Sequence, residues 1–188
     1  MRVIGGSFRG RRLTTAVGTG TRPTTDRVRE AWASSVSSLA AEGFENMRVL
    51  DAFAGSGALG IEALSRGAAF CAFVDSSRRA LLTLRENLSA LKLDSSRAVV
   101  LGRDVFAPST PRLLAAHGPY DLVILDPPYA LDQSLLELLL QRLIQLCAVR
   151  SNTLITYERG NDAAVPLSLE MLSCREYGTT RLDYYICR

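Results

Sequence analysis

Met47-Arg48-Val49-Leu50-Asp51-Ala52-Phe53-Ala54-Gly55-Ser56-Gly57-Ala58-Leu59-Gly60 decides the fold of this chain. The apolar run Met47–Asp51 ends in an acid and predicts a short strand. Gly55 and Gly57 follow, and glycines there let the backbone turn tightly and come close to a ligand. A helix over Ala58–Arg66 comes next, stopped by Gly67. Strand, glycine turn and helix in this order open a nucleotide-type α/β fold. The free N–H groups and positive dipole end of that helix suit an anion, either a pyrophosphate or the carboxylate of a methionine moiety.

The pattern repeats downstream. Ala69–Asp75 predicts a second strand ending in an acid. Ser77–Leu91 predicts a helix with Leu81, Leu84, Leu88 and Leu91 inward. Ala98–Leu101 is a third strand before Arg103-Asp104, and Leu122–Leu125 a fourth that runs into Asp126-Pro127. Gln133–Cys147 is a leucine-rich helix, and Thr153–Tyr157 a fifth strand ending at Glu158. Met171–Tyr177 and Leu182–Cys187, joined by Gly178-Thr179-Thr180, predict an antiparallel hairpin. Continuous apolar strands alternating with helices mean a parallel sheet covered on both faces. The expectation is an α/β, Rossmann-like fold with a seven-stranded, mostly parallel sheet and an antiparallel C-terminal hairpin. Upstream, residues 1–13, with Gly5-Gly6 and Gly10, predict a small β-hairpin, and residues 16–24 a loop. A helix capped by Thr25 or Asp26 runs to about Ala41, with Val28, Ala31, Trp32 and Val36 on one face.

The 188 residues, 47% hydrophobic and 22% charged, suffice for one well-buried domain. No apolar run approaches the roughly 20 residues that span a bilayer. Met1–Gly6 has no apolar core of a signal peptide, so a cytoplasmic protein is expected. Cys71, Cys147, Cys174 and Cys187 form no C-x-x-C pair and each adjoins an apolar stretch, which predicts structural thiols and no metal. The formal charge of +3 is unevenly placed. Residues 1–30 hold seven arginines (Arg2, Arg9, Arg11, Arg12, Arg22, Arg27, Arg29) against Asp26 and Glu30, which leaves a net −2 for the rest. Lys92 is the one lysine, so arginine is this chain's usual base, but that does not explain the clustering. A basic arm on a near-neutral body points to a polyanion such as nucleic acid.

Four acids, Asp51, Asp75, Asp104 and Asp126, stand at four successive strand ends, where such sheets bind ligands. Gly55-x-Gly57-x-x-Gly60 matches a dinucleotide fingerprint, and Asp75 can accept both ribose hydroxyls, which serves NAD as well as S-adenosylmethionine. Two features favour S-adenosylmethionine. Asp51 directly precedes the glycine loop, so its carboxylate can face a cationic amino-acid end, whereas it would repel a pyrophosphate. Hydride transfer also needs a proton donor, and the lone His117 and Lys92 lie in a loop and at a helix end. Asp104, with the Val105 backbone, is placed to hold the adenine amino group. The expected cofactor residues are therefore Asp51, Phe53, Ala54, Gly55, Ser56, Gly57, Asp75, Asp104 and Val105, with S-adenosylhomocysteine as product.

Asp126-Pro127-Pro128-Tyr129 carries the chemistry. An exocyclic base amine is a poor nucleophile because its lone pair is delocalised into the ring. A site can correct this by accepting both amine hydrogens out of the ring plane, here at the Asp126 carboxylate and the Pro127 carbonyl. Two prolines make a stiff segment, so the acceptors are preorganised. Tyr129 offers a face on which the base stacks, and the base must be single-stranded or flipped out. Guanine and adenine amines, in RNA or DNA, satisfy this chemistry equally.

These motifs resemble a class I methyltransferase of the amino-methylating (D/N)-P-P-(Y/F) group. Met1-Arg2-Val3-Ile4-Gly5-Gly6, Arg9–Leu13, Thr21-Arg22-Pro23-Thr24-Thr25-Asp26-Arg27-Val28-Arg29-Glu30, Phe53–Gly60 and Tyr177–Leu182 resemble the RsmD family more closely. That resemblance implies methylation of N2 of one guanine in bacterial 16S ribosomal RNA, on the assembled small subunit. It also implies a basic extension over residues 1–24 that grips RNA and a methyltransferase domain over residues 25–188, working as a monomer. A DNA adenine-N6 methyltransferase would use the same tetrapeptide but usually carries a separate recognition domain. A nucleic-acid-binding module with a vestigial nucleotide fold, and a dehydrogenase, fit the motifs less well.

Overall fold

The computed structural model describes residues 1–15, 26–128, 131–160 and 168–188. In chain order its elements are α1 (Asp26–Leu39), β1 (Arg48–Asp51), α2 (Ala58–Ser65), β2 (Phe70–Asp75), α3 (Arg78–Ala90), β3 (Ala98–Gly102), α4 (Thr110–Ala115), β4 (Tyr120–Leu125), α5 (Gln133–Gln145), β5 (Val149–Gly160), β6 (Glu170–Tyr177) and β7 (Thr180–Ile186). The strands form one sheet in the order β3-β2-β1-β4-β5-β7-β6. The first five run parallel, and β7 lies antiparallel to β5 and β6 antiparallel to β7. The order reverses between β1 and β4, so a crevice opens beyond the carboxyl ends of those two strands.

Both faces of the sheet are apolar, and each builds its own core. Val49, Cys71, Phe73, Ile124 and Leu154 face Trp32 of α1, Ile61 of α2 and Leu84 of α3. Leu50, Ala72, Val123 and Ile155 on the other face meet Leu136, Leu139, Leu140 and Leu143 of α5 and Leu114 of α4. Burying each such side chain stabilises the fold by about 1.5–3 kcal/mol. Ser77 caps α3 by accepting from the Ala80 N–H at 3.4 Å, and Asp132 caps α5 by accepting from the Ser134 N–H at 2.9 Å. No helix among the described residues is long and apolar enough to cross a membrane.

Some expectations hold and others need correction. The N-terminal hairpin is present and short: Arg2 bridges Arg12 antiparallel, the Val3 N–H donates to the Arg11 carbonyl and the Leu13 N–H to the Met1 carbonyl, each at 3.0 Å, and the chain turns through a 3-10 turn at Gly6–Phe8. Val3 and Leu13 enter the first core, and Glu62 of α2 accepts from the Ile4 N–H at 2.8 Å and the Gly5 N–H at 2.9 Å. Ser65 of α2 accepts from the Phe8 N–H at 2.9 Å and donates to the Gly5 carbonyl at 2.5 Å. Gly6 has φ +75, and a Cβ there would run into the Ser65 carbonyl. The loop expected over residues 16–24 lies outside the described residues. α4 was not foreseen, because it has only six residues and a proline in its first turn. β5 starts four residues early, at Val149, where Arg150-Ser151-Asn152 hides the apolar pattern. Cys71 and Cys187 are buried as expected of structural thiols, but Cys147 and Cys174 are exposed.

Candidate active site

β1 and β4 are neighbours at the point where strand order reverses; Asp51 pairs with Ile124, and Asp126 follows two residues beyond. The glycine loop is fixed by the Ala52 N–H donating to the Ile124 carbonyl (3.1 Å) and the Ala54 N–H donating to the Val74 carbonyl (2.9 Å). Gly57, at φ +83, starts α2, and a side chain there would collide with Leu84 and Ile61. Gly55, at φ +54, is different: a Cβ there would meet open space. The loop is therefore packed on one side and open on the other, a shape that fits a cofactor lying against it. Phe53 beside the loop and Phe106 after β3 form a tilted aromatic pair 5.9 Å apart, an apolar wall for the same space.

The acids around this space differ in state. Asp51 is buried and accepts from the Gly60 N–H at 3.1 Å. Burial raises its pKa to about 7; the Gly60 and Phe53 N–H groups oppose that shift and the charge on Asp75 adds to it. Asp75 is half-buried, accepts from the Gly55 N–H and the Ser77 N–H at 2.7 Å each, and so ties the loop to the start of α3. Each carboxylate oxygen keeps a further lone pair for a hydroxyl. Asp104 is exposed and accepts from the Phe106 N–H at 3.0 Å, while Val105 is buried beneath it.

Asp126 is half-buried, Pro127 buried and Pro128 exposed; Tyr129 lies outside the described residues. Burial and the negative charges of Glu158 and Asp51 hold the Asp126 carboxyl well above the usual carboxylate range. Leu125 pairs with Tyr157 in the parallel register, so Asp126, just past the end of β4, comes level with Glu158, which lies inside β5 two residues before that strand ends and not at its end as expected. Glu158 is itself buried. Sequence reading marked it as a strand end and gave it no role. Phe106 was also missed, although an aromatic residue two places after a strand-end acid was a usable signal.

The arginines of the arm divide. Arg2, Arg9, Arg11, Arg12 and Arg27 are exposed, as a polyanion contact requires. Arg22 lies outside the described residues. Arg29 corrects the expectation of an RNA contact: it is fully buried, donates to Asp26 and to the Arg2 carbonyl at 2.7 Å each, and lies 4.0 Å from Glu62. Its charge serves the packing of α1 on α2.

The family model described as "Conserved hypothetical protein 95" matches residues 1–186. The chain belongs to this family, that of the RsmD methyltransferases. The Bacillus subtilis (strain 168) protein YlbH is 36% identical over 192 residues, covering 98% of each chain. Ribosomal RNA small subunit methyltransferase D of Escherichia coli (strain K12) is 41% identical over 133 residues, which cover 69% of this chain and 60% of that one. Among solved structures, Escherichia coli yhhF is 34% identical, with a TM-score of 0.78 over 99% of this chain and 97% of its own. The α/β sheet with its antiparallel end is the class I methyltransferase fold. For an RsmD-family chain the ring of strand-end acids has a chemical sense. A site that gathers Asp51, Asp126 and Glu158 at low polarity is costly when empty of positive charge, and it favours a cationic ligand.

Proposed function

We propose that this RsmD-family protein transfers a methyl group from S-adenosylmethionine to the exocyclic N2 of a guanine in 16S ribosomal RNA of the small ribosomal subunit, as a cytoplasmic monomer. The observation that carries the reading is Asp126, half-buried beside Pro127 at the strand-order switch and flanked by Asp51 and Glu158. The Escherichia coli relative named for the small-subunit RNA supports the substrate class, and the exposed arginines of the arm suit its phosphates.

The roles follow from position. The open side of Gly55, with Phe53, Ala54, Ser56 and Gly57, would hold the amino-acid end of the cofactor, and Asp51 would face its ammonium group. Asp75 would accept the ribose hydroxyls, and Asp104 with the Val105 backbone would hold the adenine. When bound, S-adenosylmethionine supplies the methyl group and a positive sulfonium charge. Asp126, in its ionised form, would accept one amine hydrogen of the target base, and the Pro127 carbonyl would accept the other. The nitrogen lone pair is then directed out of the ring plane. Once methylated, the nitrogen would be cationic and would release one of its two protons to Asp126 or to water, so no separate general base is required. Pro128 stiffens the segment, and Tyr129 would stack on the base.

The test is incubation with labelled cofactor and three substrates: unmethylated small subunits, free 16S RNA and DNA. Digestion should place the label on N2-methylguanosine from RNA. Label on adenine N6, or on DNA alone, would overturn the reading.

A further inference from the structure

Asn87 lies on the inward face of α3 between Leu84 and Leu88 and is 2% exposed. A primary amide in such a place is costly unless its hydrogen bonds are made. Here they are, and they reach two separate parts of the molecule. The Asn87 Oδ1 accepts from the Thr14 N–H at 2.8 Å. Its Nδ2 donates to the Thr14 carbonyl and to the Ser56 carbonyl, each at 2.9 Å. Thr14 closes the basic arm, and Ser56 stands between the two glycines of the cofactor loop. The arm's return is held on the same helix a turn further on, where Arg11 donates to the Ala90 carbonyl at 3.4 Å. One buried side chain thus joins the arm that carries the exposed Arg9, Arg11 and Arg12 to the loop that would carry the cofactor.

An apolar residue at position 87 would fill the same space in the core but would leave the Thr14 N–H, the Thr14 carbonyl and the Ser56 carbonyl without this partner. The link is what the amide adds. We propose that Asn87 is a positioning residue that couples the two binding events, so that cofactor on the loop tightens RNA on the arm and RNA tightens cofactor. Ordering Ser56 orders Thr14 through the shared amide, and the reverse holds by linkage. This inference rests on the reading of cofactor and RNA given above.

The experiment measures the dissociation constant of S-adenosylhomocysteine, which cannot react, with and without saturating unmethylated small subunits. In the unmodified protein the subunits should tighten it by about fivefold or more, the lower range of allosteric coupling. Asn87→Asp keeps the acceptor and loses both donors. Asn87→Leu removes the acceptor and the donors together and keeps the inward face of α3 apolar. Each variant should bring the ratio to within about twofold of unity, with thermal melting confirming that it is folded. A role in packing alone would weaken both constants and leave their ratio unchanged, and an unchanged ratio overturns the proposal. A ratio of one in the unmodified protein does the same. Absence of any binding of the product or of the subunits by the unmodified protein would instead overturn the functional reading.

Discussion

Asp51 and Asp126 are acids whose surroundings resist their charge, and this has measurable consequences. The Asp51 pKa lies at about 7 in the fold and 3.8 in the free side chain, so between these values the folded chain holds a proton that the unfolded chain releases. The stability from this group is full below pH 3.8 and is lost as pH rises toward 7. Asp51→Asn should remove that part of the slope, at most about 1.4 kcal/mol for each pH unit between the two values. Denaturant unfolding between pH 4 and 8 checks it, and an unaltered slope would show that Asp51 ionises freely. Asp126→Asn removes the acceptor charge where it is used, so methyl transfer should fall by roughly 10²-fold or more while the cofactor dissociation constant stays within a few-fold. Glu158→Gln removes one of the charges that hold the proton on Asp126. The acidic limb of the rate profile should therefore move to lower pH. A limb that stays in place would separate Glu158 from the site.

At the scale of elements, α2 connects the cofactor loop to the arm. Its Glu62 is fully buried, accepts from two arm N–H groups and from Arg66 at 2.7 Å, and faces the buried Arg29. Glu62→Ala would leave Arg29 buried without that partner, and should cost about 3–5 kcal/mol. Equilibrium unfolding measures it, and a loss below about 1 kcal/mol would mean that the arm is held by its apolar packing alone. Glu62 and Arg29 also show where sequence reading stopped. The strands, the glycine loop and the four acids were legible, because apolar runs and strand-end acids are local patterns. The inward leucines of α3 were legible for the same reason: Leu81, Leu84, Leu88 and Leu91 are all buried. On α1 the expected apolar face found Val28, Trp32 and Val36, included Ala31, which is only half-buried, and missed Arg29, Ala33 and Ser35, which are buried. Asp26, three residues from Arg29, was within view, but the Arg2 carbonyl and Glu62 that complete the surroundings of the buried charge are far along the chain and were not. Asn87 escaped for the same reason, since its partners are residues 14 and 56.

For the molecule as a whole, the net charge of +3 conceals a separation of function between two kinds of arginine. Arg29 and Arg159 are buried and held by Asp26, Glu62 and Asp183, and the half-buried Arg66 is held by Glu62. Arg9, Arg11 and Arg12 stand exposed on a segment that the core anchors through Val3 and Leu13. An anchored basic surface presents its charges without ordering a free tail first, so binding phosphates there costs less entropy. Neutralising Arg9, Arg11 and Arg12 to Gln should leave the melting temperature nearly unchanged, because surface substitutions usually stay within about 0.5 kcal/mol. Binding to 16S RNA should weaken, and the slope of log affinity against log salt should shrink by roughly 0.7 for each phosphate no longer neutralised. Arg29→Gln should do the opposite, lowering stability with little change in that slope. Titrations of both variants at several salt concentrations decide between them. An unchanged slope in the triple variant would return those three arginines to a merely solvated face, and the RNA path would then have to run elsewhere over the strand ends.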